Sequence, residues 1–131
     1  MIITEELLDN LSAEAKVNPR LRMNYDLRNS AEDGSQRMLN ALEPGTILPI
    51  HRHQTSSEIV TIVRGAIREY FYDENGKQTE EITLKFGEGV PMLVVPMGVW
   101  HKLDCLEPGT IIYESKDGAY RPMTSDDVMG V

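Results

Sequence analysis

Gly45–Glu58 reads GTILPIHRHQTSSE. His51 and His53 stand one residue apart, and Glu58 follows five residues after His53. Thr46–His53 is predicted as a strand, in which residues i and i+2 point to one face, roughly 6.6–7 Å apart along the chain. The two imidazoles then project together, on the face shared by Ile47 and Pro49. Gln54–Ser57 is a short connection and Glu58 opens the next strand, so a hairpin-like return brings its carboxylate beside both rings. Two imidazoles and one carboxylate suit a first-row divalent metal. Two surface histidines beside a loop would show the same spacing, and this stretch alone leaves both readings open.

The rest of the chain limits what such a site can serve. The 131 residues are one domain's worth, and 40% are hydrophobic, an ordinary globular composition. A formal net charge of -8 argues against nucleic-acid and anionic-membrane partners, which attract basic surfaces. Cys105 is the single cysteine, so no internal disulfide forms and a reducing compartment is compatible. The opening MIITEELLDNL lacks the basic and apolar regions of a secretory signal, and no apolar run reaches the ~20 residues of a membrane helix. A soluble, cytoplasmic protein is the expectation.

Upstream, Thr4 caps a predicted helix with Glu5 and Glu6 in its first turn and Ile3, Leu7, Leu8 and Leu11 as its apolar stripe, ending before Pro19. Arg20–Ser35 has weak periodicity and many turn formers, and reads as irregular. From Gln36 onward short strands alternate with turns: Gln36–Leu42, Glu58–Arg64, Ala66–Asp73, Gln78–Lys85, Met92–Val95, Trp100–Cys105 and Thr110–Ser115. Pro44-Gly45 is predicted at the centre of a type II turn, and Asn75-Gly76 at a hairpin turn. LEPGT occurs at Leu42–Thr46 and again at Leu106–Thr110, read as one turn used twice to enter a strand. The pattern predicts a mostly β fold, an antiparallel sandwich or barrel, with one N-terminal helix. Ile47, Val60, Ile62, Val94 and Ile111 are the expected core.

The third histidine, His101, follows Pro96-Met97-Gly98-Val99-Trp100 and is delivered at a strand start. In a closed barrel it joins the other two as a further ligand from a distant part of the chain. Gly45, His51-x-His53, Glu58 and Gly65 together resemble the first motif of the cupin superfamily, and Pro96-x-Gly98-x-x-His101 is similar to the heart of its second. The resemblance implies a small antiparallel jelly-roll β-barrel. It also implies one divalent transition metal, Fe(II), Mn(II), Ni(II) or Zn(II), held by His51, His53, Glu58 and His101. Residues 36–131 would form the barrel, with residues 1–35 packed on it as a helix and irregular extension. Two positions depart from the family pattern: Gly89 lies one residue further from Pro96, and Cys105 replaces an asparagine. NPRLRMNYDLR, QRMLNALEPGT, GVWHKLDCLEPGT and the ending YRPMTSDDV extend the similarity to WbuC-type cupin metalloproteins. Those are associated with bacterial surface-polysaccharide gene clusters.

Other residues are candidates for a substrate pocket. Arg20, Arg22 and Arg28 cluster within nine positions of an acidic chain, and suit an anionic group as well as a solvated segment. Asn24 and Tyr25 add hydrogen bonds at a pocket mouth. Gln36, Met38 and Asn40 share a strand face, so two amides are placed to line the interior. Cys105 shares the inward face of His101 and Leu103, either as a substrate contact or as a small buried hydrophobe. Trp100 points the other way and packs. Arg64, Tyr70 and Tyr113 are polar candidates that spacing does not place. The functional expectation is a metal-dependent enzyme on a small polar metabolite, of isomerase or dioxygenase type, with a sugar or nucleotide-sugar as substrate class. A non-catalytic ligand-binding or sensor cupin is the alternative. A small-molecule ligand is the expected partner, and a homodimer is compatible.

Overall fold

The structure, a computed structural model, describes residues 1–130. Thr4 caps helix α1 (Glu5–Val17): its Oγ1 accepts the Leu7 N–H at 3.2 Å. The helix stops at Asn18, whose N–H bonds back to the Glu14 carbonyl at 3.0 Å, directly before Pro19. Nine strands follow: β1 (Arg22–Asp26), β2 (Gln36–Leu42), β3 (Glu58–Arg64), β4 (Ala66–Tyr72), β5 (Gln78–Lys85), β6 (Glu88–Gly89), β7 (Met92–Val95), β8 (Trp100–Cys105) and β9 (Thr110–Lys116). A short 3-10 turn, Ser125–Asp127, lies in the C-terminal segment. No helix among the described residues is long and apolar enough to cross a membrane.

The strands form two antiparallel sheets, ordered β1-β2-β9-β3-β7 and β6-β5-β4-β8. Leu42, Val60, Ile62, Ile67, Phe71, Leu84, Leu93, Val95, Leu103 and Ile112 fill the space between them. A second core lies on the outer side of the larger sheet, where Leu8, Leu11 and Ala15 of α1 cover Leu39, Ala41 and Ile111. Strand β2 is therefore buried on both faces. Of the expected core, Val60 and Ile62 lie between the sheets, whereas Ile111 lies under α1. Ile47 is 85% exposed and Val94 58%, because alternation along β7 turns Leu93 and Val95 inward instead.

Three expectations change. Arg22–Asp26, read as irregular, is the edge strand β1, paired with β2 from Arg22↔Leu42 to Asp26↔Met38. Thr46–His53, read as a strand, is irregular except at His51, which bridges His101 and Val128. Pro49 explains this: it has no N–H to give a ladder. The expected closed barrel is consequently two facing sheets, and the flank of β8 is joined to the 46–57 segment by that isolated bridge and not by a ladder.

Both LEPGT turns have their glycine at positive φ, Gly45 at 98° and Gly109 at 74°. They lie side by side: Leu42 pairs with Thr110, and Glu43 Oε2 accepts the Gly109 N–H at 2.7 Å.

Candidate metal centre

Backbone hydrogen bonds bring the two histidine-bearing segments together. The His51 N–H donates to the His101 carbonyl at 3.0 Å and the His101 N–H to the His51 carbonyl at 2.8 Å. The Gly98 N–H donates to the His53 carbonyl at 2.8 Å, with Gly98 at φ 79°, so the Pro96–Gly98 turn is tied directly to the HxH segment. Glu58 faces inward at the start of β3 and is buried. One ring nitrogen from each of His51, His53 and His101 lies within 4.8 Å of the others. Glu58 Oε2 is 3.2 Å from His53 Nε2 and 3.7 Å from His101 Nε2.

Two further contacts orient the rings. His51 Nδ1 lies 2.9 Å from the Pro49 carbonyl, and His101 Nδ1 lies 2.9 Å from the Val99 carbonyl. A carbonyl only accepts, so Nδ1 carries a proton in each contact, which makes Nε2 the nitrogen that can ligate. Burial, and then the charge of His101, lower the pKa of His51 to about 4, so its ring is uncharged at neutral pH. Burial alone would raise Glu58, but hydrogen bonds from His101 and His53 outweigh it and hold the carboxyl well below the usual range. Three imidazoles beside a buried carboxylate are a donor set that suits a first-row divalent ion.

The four residues open onto a cavity of about 530 Å³ between the sheets. Arg22, Asn24, Gln36 and Asn40 line it, as does Arg20. Tyr25 and Cys105 do not. The alternation of β1 turns Tyr25 to the α1 side, against Leu39. Cys105 sits in the inter-sheet core and donates its S–H to the Glu107 carbonyl at 3.1 Å, while burial pushes the thiol pKa up. Of the unplaced residues, Arg64 pairs with Glu5 and Asp9 of α1 and Tyr113 packs in the helix-side core. The ring of Tyr70 receives the Lys102 ammonium, 5.3 Å from its centroid. Trp100 packs away from the cavity under Arg52, whose guanidinium carbon is 4.5 Å from the ring centroid.

Glu69 and Glu114 are cavity residues that the sequence reading did not single out. Glu69 is 1% exposed and its Oε2 has no hydrogen-bond partner. Burial first, then the charges of Glu58 and Glu114, push its pKa well above the carboxylate range. Burial and the Glu58 charge push Glu114 up to about 8. The signal was available: in Ile67-Arg-Glu69-Tyr-Phe71 a carboxylate takes an inward slot between two apolar ones, and in Ile112-Tyr-Glu114 a carboxylate follows an inward isoleucine by the same alternation.

Several solved structures share this fold. KdgF from Halomonas sp. superposes with a TM-score of 0.61 over 80% of this chain and 85% of its own, at 19% identity. A recombinant oxalate oxidase in complex with glycolate gives 0.62 over 81% and 55%, at 19% identity. A mutant oxalate decarboxylase of Bacillus subtilis gives 0.59 over 77% and 26%, at 21% identity. This chain thus spans about half of the oxidase and a quarter of the decarboxylase, and at these identities the likeness is one of fold. No curated protein matches it in sequence. Residues 3–84, more than half of the chain, match a family model, and the chain therefore belongs to the family described as Domain of unknown function (DUF6016).

Proposed function

We propose that this protein binds one divalent first-row transition metal through His51, His53, Glu58 and His101 and is a metal-dependent enzyme acting on a small polar metabolite. The observation that carries the reading is the pair of Nδ1 tethers, His51 to Pro49 and His101 to Val99, beside a buried ionised carboxylate. Such second contacts fix the tautomer that a metal needs. Fe(II), Mn(II), Ni(II) and Zn(II) all suit three imidazoles and a carboxylate. The bound ion would supply Lewis-acid polarisation of a ligand oxygen.

The chain's own residues favour proton transfer as the reaction type. Glu69 lines the cavity with a carboxyl oxygen free of protein partners, and burial, then the charges of Glu58 and Glu114, push its pKa well above the carboxylate range, the direction that suits a general acid. An isomerase matches that arrangement better than a dioxygenase, which needs no such acid. The resemblance to WbuC-type cupins, with their association with surface-polysaccharide genes, supports a sugar or nucleotide-sugar as substrate class.

The test is elemental analysis of protein stripped with chelator and reloaded, together with turnover and oxygen uptake on a sugar panel. We expect about one metal ion per chain, lost in His53→Ala. Glu69→Gln should keep the metal and lower turnover roughly 10²–10⁴-fold. Failure of the reloaded wild type to retain any metal would remove the reading. Metal retention without turnover would leave a ligand-binding cupin, and oxygen uptake indifferent to Glu69→Gln would favour the dioxygenase.

A further inference from the structure

Seven of the 13 basic residues fall into two contrasting groups, and Arg52, 3.8 Å from Asp127, and Lys116 line the cavity as well. Arg28, Arg37, Arg64 and Lys85 each hold a carboxylate: Asp26 at 2.8 Å, Asp33 at 2.7 Å, Asp9 at 2.8 Å and Glu107 at 3.4 Å respectively. Arg20, Arg22 and Arg121 line the cavity, and among the described residues none of them is within ion-pair distance of a carboxylate. With 21 acidic residues against 13 basic ones, carboxylates are not scarce. Three guanidiniums without ion-pair partners, drawn from opposite ends of the chain, thus line one cavity, which Glu58 and Asp127 line too.

The backbone holds two of them there under strain. Leu21, between Arg20 and Arg22, sits at φ 54°, a left-handed conformation that costs a non-glycine residue about 1–2 kcal/mol. Three hydrogen bonds enforce it: the Leu21 N–H to the Asn18 carbonyl at 2.9 Å, the Glu43 N–H to the Leu21 carbonyl at 3.0 Å, and the Thr46 hydroxyl to the Arg20 carbonyl at 2.8 Å. Arg22 Nη1 donates to the Ile47 carbonyl at 2.9 Å, which fixes that guanidinium at the rim. Burial and the charge of Arg20 both lower the pKa of Arg22, so the two like charges stand together uncompensated. Over-determined strain beside unbalanced charge is a mark of a ligand clamp.

We propose that the cavity takes a ligand carrying an oxyanion, a carboxylate or a phosphate, gripped at the rim by Arg20, Arg22 and Arg121, with the rest of the molecule extending toward His51, His53 and His101. The planar guanidinium fork matches either anion through paired N–H donors. The anion site stands on the arginines alone; only the placing of the ligand's other end rests on the metal-centre reading.

Calorimetric titration and melting curves with inorganic phosphate, and separately with succinate, against chloride at matched ionic strength would test this. Binding by either anion is expected below about 20 mM, seen also as a rise in melting temperature. Arg22→Gln and Arg121→Gln should each weaken it about tenfold or more, while Arg68→Gln, on the outer side of β4 against Thr83, should not change it. Preference for phosphate or succinate would identify the anion. Absence of binding by both, or binding indifferent to Arg22→Gln and Arg121→Gln, would overturn the proposal. Metal content is read on the same samples. Metal without anion binding would sink this inference alone, and anion binding without metal would sink the metal reading alone.

Discussion

Gly65 turns the chain from β3 into β4 at φ 73°, and an added Cβ would overlap the Thr110 hydroxyl and come within 2.9 Å of Thr110 Cα. Thr110 is fully buried and its own Oγ1 accepts the Ala66 N–H at 3.1 Å, so neither side has room to yield. Gly65→Ala should therefore cost roughly 3 kcal/mol, strain and overlap together, as a shift of the urea midpoint. Glu114 makes a second prediction, for metal-free protein. Its carboxyl titrates near 4.5 when unfolded and about 8 when folded, so its contribution is full below 4.5 and is lost as pH rises through 8. His51 acts oppositely: its contribution is full above 6.5 and is lost as pH falls toward 4. Between pH 6.5 and 8, stability should thus fall, by something on the order of 1 kcal/mol, with Glu69 adding in the same direction. Glu114→Gln should flatten that slope in urea titrations. At this scale the convergence of His51, His53 and His101 was legible from their motifs, although the strand expected to align the first two is absent. Glu69 and Glu114 were passed over because a lone carboxylate in an alternating strand looks solvated until its inward neighbours are known.

Helix α1 belongs to the outer core, not to the cavity. Leu11, 4% exposed against the larger sheet, should cost about 2–4 kcal/mol when cut to alanine, with no change in metal content, measured by denaturation and elemental analysis on one sample. Loss of metal in Leu11→Ala would mean that the helix supports the centre after all. The helix was readable from Thr4, the acidic first turn and Leu8 and Leu11 before Pro19, whereas Ile3 of the expected stripe lies exposed ahead of the helix and Ala15 completes the buried face. Strand β1 was not, and one expected strand is absent. Arg22-Met-Asn-Tyr-Asp26 does alternate polar and apolar, but five residues among turn formers hide it, and its polar face is a cavity wall. Conversely, Thr46–His53 has strand-like composition, yet Pro49 and the pull of the His51–His101 bridge leave it extended without a ladder. His51 and His53 still converge, since the bridge supplies the constraint that the strand was expected to provide.

At the scale of the molecule, the order of the larger sheet has a consequence for how the chain is made. β2 and β3 are successive in sequence, yet β9 lies between them and pairs with both. Neither can complete its pairing until Thr110–Lys116 has been synthesised, and the helix-side core also lacks Ile111 until then. The same strand carries Glu114 and Lys116 into the cavity, so closing the sheet and finishing the pocket are one event. Pairing over such sequence distances is slow, and open strand edges are prone to aggregate meanwhile. Ribosome-stalled chains with fewer than 110 residues outside the exit tunnel should therefore be cleaved rapidly by added protease, and chains whose β9 has emerged should resist it. Gradual rather than abrupt protection would show that the smaller sheet folds first without the larger one. The last strand to leave the ribosome in this sheet is the keystone between its second and third, and the nascent protein must remain unfinished until it arrives.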